Sequence, residues 1–172
     1  VLVARAFNLL YNLNLNTMGE MNIAYLGELR TSSRCGRLDQ ACAFGVKPNL
    51  MTFDGDEIEV RSLNVKKHLY WVFADLCAEK DTIKILSDLN KAYPFPNSDA
   101  ERAEHEALGE KNLELVDKAI KCMAEGDAEG LGRLMTEAEA LFDAQVAPMS
   151  EALYAPKLHQ VLQDPNIQPL VW

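Results

Sequence analysis

Residues 32–40, Ser-Ser-Arg-Cys-Gly-Arg-Leu-Asp-Gln, hold the densest set of chemically capable side chains in the chain. Gly36 lets the backbone approach a ligand closely. Arg34 and Arg37 offer forked donors that suit phosphate or carboxylate groups. Asp39 is able to accept a proton from a hydroxyl group held beside it. These residue types suit the binding of an anionic group next to a hydroxyl group.

A plainer interpretation of the same residues is a polar loop. Asp39 would then only cap the next helical turn, since aspartate is a common N-cap residue. Ser32 and Ser33 are able to contact phosphate, but serines in loops more often bond the local backbone. Residue types alone favour this plainer interpretation.

Residues 35–40 resemble the Cys-Gly-x-Met-Asp-Gln segment of the GHMP kinases, the superfamily of galactokinase, mevalonate kinase and related sugar and isoprenoid kinases. Leu38 stands where that superfamily usually has methionine or isoleucine. The resemblance implies ATP-dependent phosphoryl transfer to a hydroxyl group of a small-molecule sugar or sugar acid. It also implies that Asp39 is the catalytic residue, placed against the hydroxyl group that receives the phosphoryl group.

The same resemblance assigns roles to the neighbours of Asp39. The residues implied in substrate binding are Cys35, Gly36 and Arg37. The residues implied in contact with the cofactor ATP are Ser32 and Ser33. Two uses of Arg37 stay open, because it is able either to pair with Asp39 or to contact the substrate.

The GHMP kinases also carry a glutamate, upstream at the end of the preceding helix, that helps to hold Mg²⁺. Glu28 lies 11 positions before Asp39 (39 − 28), which is the spacing of the mevalonate kinase-like members. The resemblance therefore implies that Glu28 is a metal ligand. The alternative is a solvated carboxylate on a helix.

The resemblance reaches beyond this segment. Residues 1–13 resemble the helix after the family's phosphate loop, and residues 69–76 with 80–82 resemble the opening of the second domain in sugar kinases. The phosphate loop and the final glycine-rich strand-turn of the family have no counterpart in the chain. We therefore expect little kinase activity from these 172 residues alone. The competing hypothesis is a non-catalytic, helix-rich interaction or assembly module.

Composition limits the classes of partner. A net charge of −9 over 172 residues argues against nucleic acid as a main partner, because that binding depends on neutralising phosphates. The four cysteines have no C-x-x-C spacing, so the sequence predicts reduced thiols, a cytoplasmic location and no zinc site. No apolar run is long enough to predict a membrane span. Assembly into a homo-oligomer is compatible with these limits.

The predicted fold class is α+β, in two parts. Residues 1–64 are predicted to belong to an N-terminal GHMP kinase domain. They should hold a helix over 1–13 that is buried on most sides, a second helix that begins with a capping box of Thr17 and Glu20, a short turn or strand after Gln40, and two strands joined at Asp54-Gly55.

Residues 65–172 are predicted to form a helix-rich C-terminal GHMP kinase domain. It should open with a buried strand over 69–77, followed by helices over about 81–92, 98–125 and 127–146. Shorter helices should start at Ser150 and after Pro156, before an extended end over 165–172. His159 is expected to be a packed or surface histidine rather than a ligand.

Overall fold

The computed structural model of the chain describes residues 1–31 and 36–170. It divides into two compact units, Val1–Asn64 and Val65–Trp172. Among the described residues the chain is mainly helical with one two-stranded antiparallel sheet, which is the predicted α+β class. The predictions for Ser32, Ser33 and Cys35, and the strand prediction for residues 171–172, lie outside the described residues.

The first unit contains two helices, a 3₁₀ helix and a hairpin. Their bounds are α1 Leu2–Tyr11, α2 Thr17–Glu28, a 3₁₀ helix Asp39–Phe44, β1 Asn49–Asp54 and β2 Glu57–Ser62. The 3₁₀ helix replaces the turn or strand expected after Gln40. Helix α2 is capped by Asn16, whose side chain accepts a hydrogen bond from the backbone of Gly19. The predicted cap at Thr17 is therefore wrong by one position.

The hairpin prediction is confirmed. Strands β1 and β2 pair in antiparallel register, with Asp54 opposite Glu57. Only Gly55 and Asp56 remain for the turn. Gly55 has φ +57°, a conformation that glycine adopts without the steric cost that a side chain would add.

Helix α1 is not buried on most sides, contrary to the prediction. Ala4 is its one buried residue, whereas Leu2, Leu9 and Leu10 are 81%, 74% and 73% exposed. Apolar residues occupy nearly every turn of this helix, but the described part of the first unit covers only one side of it. The core of the unit is small and centres on Met21, which is fully buried.

The second unit is built from helices. Their bounds are α3 Thr82–Leu89, α4 Asp99–Glu106, α5 Asn112–Glu125, α6 Ala128–Gln145 and α7 Pro156–Leu162, with a π-helical turn Ala107–Lys111 that joins α4 to α5. The expected stop and start at 126–127 are present. Gly126 ends α5 with φ +71°, and Asp127 caps α6 by accepting a bond from the backbone of Gly130.

The predicted buried strand over 69–77 is absent. Residues 63–81 form no helix or strand, and Tyr70, Val72 and Phe73 are more than nine-tenths exposed. A β-strand needs a partner for its backbone groups, and no other described segment pairs with this one. The prediction of an extended end is also wrong over 165–170, which form turns and a 3₁₀ helix.

Two buried polar side chains mark the interior of the second unit. The hydroxyl group of Ser150 donates to the carboxylate of Asp88 across 2.7 Å. Hydrogen bonds from Lys91, Ser150 and Lys84, in that order of effect, hold the pKa of Asp88 far below its usual range. Glu104 is fully buried, and neither of its carboxylate oxygens has a hydrogen-bond partner among the described residues. Burial raises the pKa of Glu104.

No helix in the described ranges combines the length and the apolar character needed to span a bilayer.

Candidate functional site

The end of α2 lies beside the start of the 3₁₀ helix. Glu28 is the last residue of α2, and Asp39 is the first residue of the 3₁₀ helix. Gln40 is buried, and its Nε2 donates to Oε1 of Glu28 across 3.2 Å. The hydroxyl group of Thr31 caps the same helix end by donating to the backbone carbonyl of Glu28 across 2.7 Å. The structure thus brings Glu28 next to the Asp39-Gln40 step, although the two are far apart in sequence.

Asp39 does not act as a side-chain cap. The 3₁₀ helix that it begins has Leu38 as its N-cap residue and no capping side-chain bond. The carboxylate of Asp39 is exposed, and no hydrogen bond or ion pair joins it to another side chain in the described ranges. This carboxylate is therefore open to an exogenous group.

Arg37 contacts α2 and the hairpin turn of the first unit. Its guanidinium group lies 4.6 Å from the centre of the Tyr25 ring on α2, an arrangement that attracts a cation to the aromatic face. The same group donates to the backbone carbonyl of Asp56, in the hairpin turn, across 3.0 Å. Arg37 thus links α2 to the hairpin. Of the two uses that the sequence left open, pairing with Asp39 is not among its contacts in the described ranges.

Space is available at Gly36. A Cβ atom built there meets no atom of the described residues within 4 Å. This glycine is therefore not needed for packing against those residues. The open space is compatible with the close approach of a ligand that the sequence suggested.

A polar cluster under the site fixes the 3₁₀ helix. Arg5 of α1 donates from Nη2 to the backbone carbonyl of Ala43 and from Nε to Glu20, each across 2.7 Å. Asn8 donates to the other oxygen of Glu20 across 2.8 Å. The hydrogen bonds from Asn8 and Arg5 lower the pKa of the Glu20 carboxyl group. Both helices are in this way tied to the element that carries Asp39.

The donor set suits the metal that the resemblance implies. Glu28 and Asp39 offer carboxylate oxygens, which are the ligands that Mg²⁺ prefers, and both side chains are at least partly exposed. Mg²⁺ usually keeps several waters and takes one or two carboxylates together with substrate phosphates. Residues of these types fit a Mg²⁺ ion bound together with a nucleotide.

Sequence reasoning missed two features. Gln40 stood inside the motif, but no role was predicted for it. The second feature is a cluster of three side chains in the second unit, Glu139, Asp143 and His159, whose ligand atoms all lie within 4.8 Å of one another. A sequence signal existed for its first two members, because acidic residues four positions apart share one face of a helix. The position of His159 depends on the tertiary fold.

Comparisons with known proteins do not assign the chain to a family. No protein-family model, no curated protein and no solved structure gives a significant match to the chain.

Proposed function

We propose that the chain contributes the acceptor and metal side of a GHMP-type small-molecule kinase, which transfers a phosphoryl group from ATP to a hydroxyl group of a sugar or sugar acid. The observation that carries the proposal is the bond from Gln40 to Glu28. It holds the proposed metal ligand beside Asp39, the residue that the motif resemblance assigns to catalysis.

Each residue has a role that its geometry permits. Asp39 is exposed and has no side-chain partner in the described ranges, so it is available to orient or deprotonate an acceptor hydroxyl group. Glu28 would hold Mg²⁺ with Gln40 fixing its carboxylate. When bound with ATP, Mg²⁺ would offset the charge on the transferring phosphoryl group. Arg37 would hold the backbone next to Asp39 in place through its contacts with Tyr25 and the hairpin turn.

The finer assignments belong to the same proposal. A sugar rather than mevalonate is favoured by the resemblance of residues 69–76 and 80–82 to sugar kinases. A cytoplasmic location would supply ATP and keep thiols reduced. Cys42, Cys77 and Cys122 are free thiols, which agrees with such a location.

The test is an assay of ADP release. The natural polypeptide that carries these 172 residues would be incubated with Mg·ATP and a panel of pentoses, hexoses, heptoses and uronic acids. We expect at least one sugar to raise the rate of ADP release, with a sugar phosphate as the product. Absence of acceptor-dependent ADP release across the panel would contradict the proposal.

A second function is favoured by one observation. Helix α1 exposes most of its bulky apolar side chains, and Tyr70, Val72 and Phe73 do the same in the other unit. Exposed apolar patches often mark protein contacts. We infer an interaction or assembly module, with a homo-oligomer as its simplest form. Sedimentation of the chain over a range of concentrations tests this, since a monomer at all concentrations would contradict self-association.

A further inference from the structure

Glu139, Asp143 and His159 converge on one point in the second unit. Glu139 and Asp143 are four residues apart on α6, so their side chains share one face of the helix. His159 comes from α7, and its Nε2 atom lies 2.8 Å from the carboxylate of Asp143 and 4.0 Å from that of Glu139. Two separate helices thus supply three ligand atoms to one place.

The spacing of these atoms suits a small divalent cation. Ligand atoms about 2.1 Å from a metal ion lie about 3.0–3.4 Å from one another in octahedral or tetrahedral coordination. The two distances from Nε2 fall on either side of that interval. Small rotations of the Glu139 and Asp143 side chains would therefore bring all three atoms onto one ion.

The charges at this point are not balanced by the protein. Glu139 and Asp143 have no lysine or arginine partner in the described ranges, and His159 is the only basic group beside them. Glu129, near the start of the same helix, pairs with Arg133 four residues later. Two like charges at this spacing on a helix destabilise it. A bound cation would relieve that repulsion.

Helix geometry fixes the third ligand. Pro156 occupies the first position of α7, where its missing N–H group costs no helical hydrogen bond. The backbone N–H of His159 donates to the carbonyl of Ala155, so the imidazole is carried by the first turn of a regular helix. The three side chains are 36–38% exposed, which leaves room for water at the other coordination positions.

We propose that Glu139, Asp143 and His159 form an open binding site for one divalent first-row transition cation, such as Zn²⁺, Co²⁺ or Mn²⁺. The imidazole favours these ions over Mg²⁺, which prefers oxygen ligands alone. Nε2 binds the ion through its lone pair, so the bound imidazole is neutral and carries its single proton on Nδ1. The ligand bonds replace the hydrogen bond between His159 and Asp143. This site is independent of the kinase proposal.

The test uses the full 172-residue chain, stripped of metal and kept reduced, in a calorimetric titration with Zn²⁺. We expect one saturable site. His159→Gln and Asp143→Asn should each weaken it by about tenfold or more. Glu129→Gln removes a charge from the same helix, and His68→Gln removes an exposed histidine. Both controls should bind Zn²⁺ like the wild type.

Absence of saturable binding, or equal binding by the wild type and His159→Gln, would overturn the proposal. Circular dichroism checks the fold of each variant, and Glu139→Gln serves as a third variant if one of the others unfolds. Co²⁺ absorption gives a second readout. Weak visible bands without an intense near-ultraviolet thiolate band are expected, because Cys42 and Cys77 are not part of the site. Either an intense thiolate band or displacement of the bound Co²⁺ by a modest excess of Mg²⁺ would contradict the proposed site.

Discussion

Gln40 donates a hydrogen bond from Nε2 to Oε1 of Glu28 across 3.2 Å, and the two residues are 12 positions apart. The donor is almost completely buried, whereas the acceptor is half-buried at the end of α2. A carboxylate held by a buried amide has less freedom than a solvated one. The same bond therefore sets the position of the proposed metal ligand and closes the loop between α2 and the 3₁₀ helix.

Replacing Gln40 by alanine should destabilise the first unit. The substitution removes this bond and leaves a gap at a buried position, at a cost of roughly 1–3 kcal/mol in the free energy of unfolding. Urea denaturation followed by far-ultraviolet circular dichroism measures the change. Gln160→Ala, at an exposed position of α7, is the control and should change stability by less than about 0.5 kcal/mol. Equal stability of the two variants would show that the Gln40 bond contributes little.

Glu20→Gln should destabilise the first unit in a pH-dependent way. The pKa of Glu20 is lower in the folded chain than its ordinary value of 4.5, because Asn8 and Arg5 donate to the carboxylate. The charged form therefore stabilises the folded state above pH 4.5, and this stabilisation is lost as the pH falls through the folded pKa.

The urea midpoints of wild type and Glu20→Gln should differ clearly at about pH 7 and converge as the pH falls below 4.5 through the folded pKa of Glu20. Glu57→Gln, an exposed carboxylate in the same unit, is the matched control and should show no such convergence. A difference that stays constant over the whole range would contradict the account of Glu20.

Glu104 should have the opposite pH dependence. Burial raises its pKa, so the folded state holds a proton that the unfolded state has already lost. The free energy of unfolding therefore falls as the pH rises from the ordinary value of 4.5 through the folded pKa. Glu104→Gln has no carboxyl group to titrate, so its free energy of unfolding should not fall in this way. The variant should be more stable than wild type at neutral pH, and the difference in stability should be smaller at acidic pH.

Thermal unfolding at several pH values tests the prediction for Glu104. Glu110→Gln is the control, because Glu110 is an exposed glutamate in the π-helical turn that follows α4. Its midpoints should follow those of the wild type. A destabilised Glu104→Gln at neutral pH would show that the carboxylate is stabilised by a partner in solution.

Ser150→Ala should weaken the second unit. The variant loses a hydrogen bond from the hydroxyl group of Ser150, a residue that is 3% exposed, to the charged carboxylate of Asp88. Loss of such a bond costs roughly 1–3 kcal/mol. Ser87→Ala, at an exposed neighbour of Asp88, should be close to neutral. If both variants denature at the same urea concentration, the Ser150 bond makes no net contribution to the stability of the second unit.

Local signals in the sequence predicted the parts of the fold that depend on a few neighbouring residues. Asp54-Gly55 predicted the hairpin turn, and Gly126-Asp127 predicted the stop of one helix and the start of the next. Both depend on backbone conformations that glycine favours or on a single capping side chain. Asn16 was missed as a cap because Thr17 with Glu20 offered a competing pattern. In the structure the Glu20 carboxylate accepts hydrogen bonds from Arg5 and Asn8 instead.

The sequence did not predict features that depend on contacts between segments far apart in the chain. The apolar pattern of residues 69–77 predicted a strand, but strand formation needs a partner segment, which the described residues do not supply. Apolar residues on most faces of α1 predicted burial, but in the described part of the first unit packing covers only one side of this helix. The same limit hid the position of Gln40 against Glu28, and that of His159 against Asp143, because each contact joins two separate elements.

We propose that Asp39 acts on the acceptor hydroxyl group. The most direct test is the turnover of Asp39→Asn in the natural polypeptide, with the sugar that the acceptor screen identifies. Asp54→Asn, the same change at an exposed position of β1, is the matched control, and circular dichroism verifies that both variants fold. Loss of a general base predicts a fall in kcat of about 10²–10⁴-fold for Asp39→Asn and wild-type turnover for Asp54→Asn. Retention of wild-type turnover by folded Asp39→Asn would contradict the account.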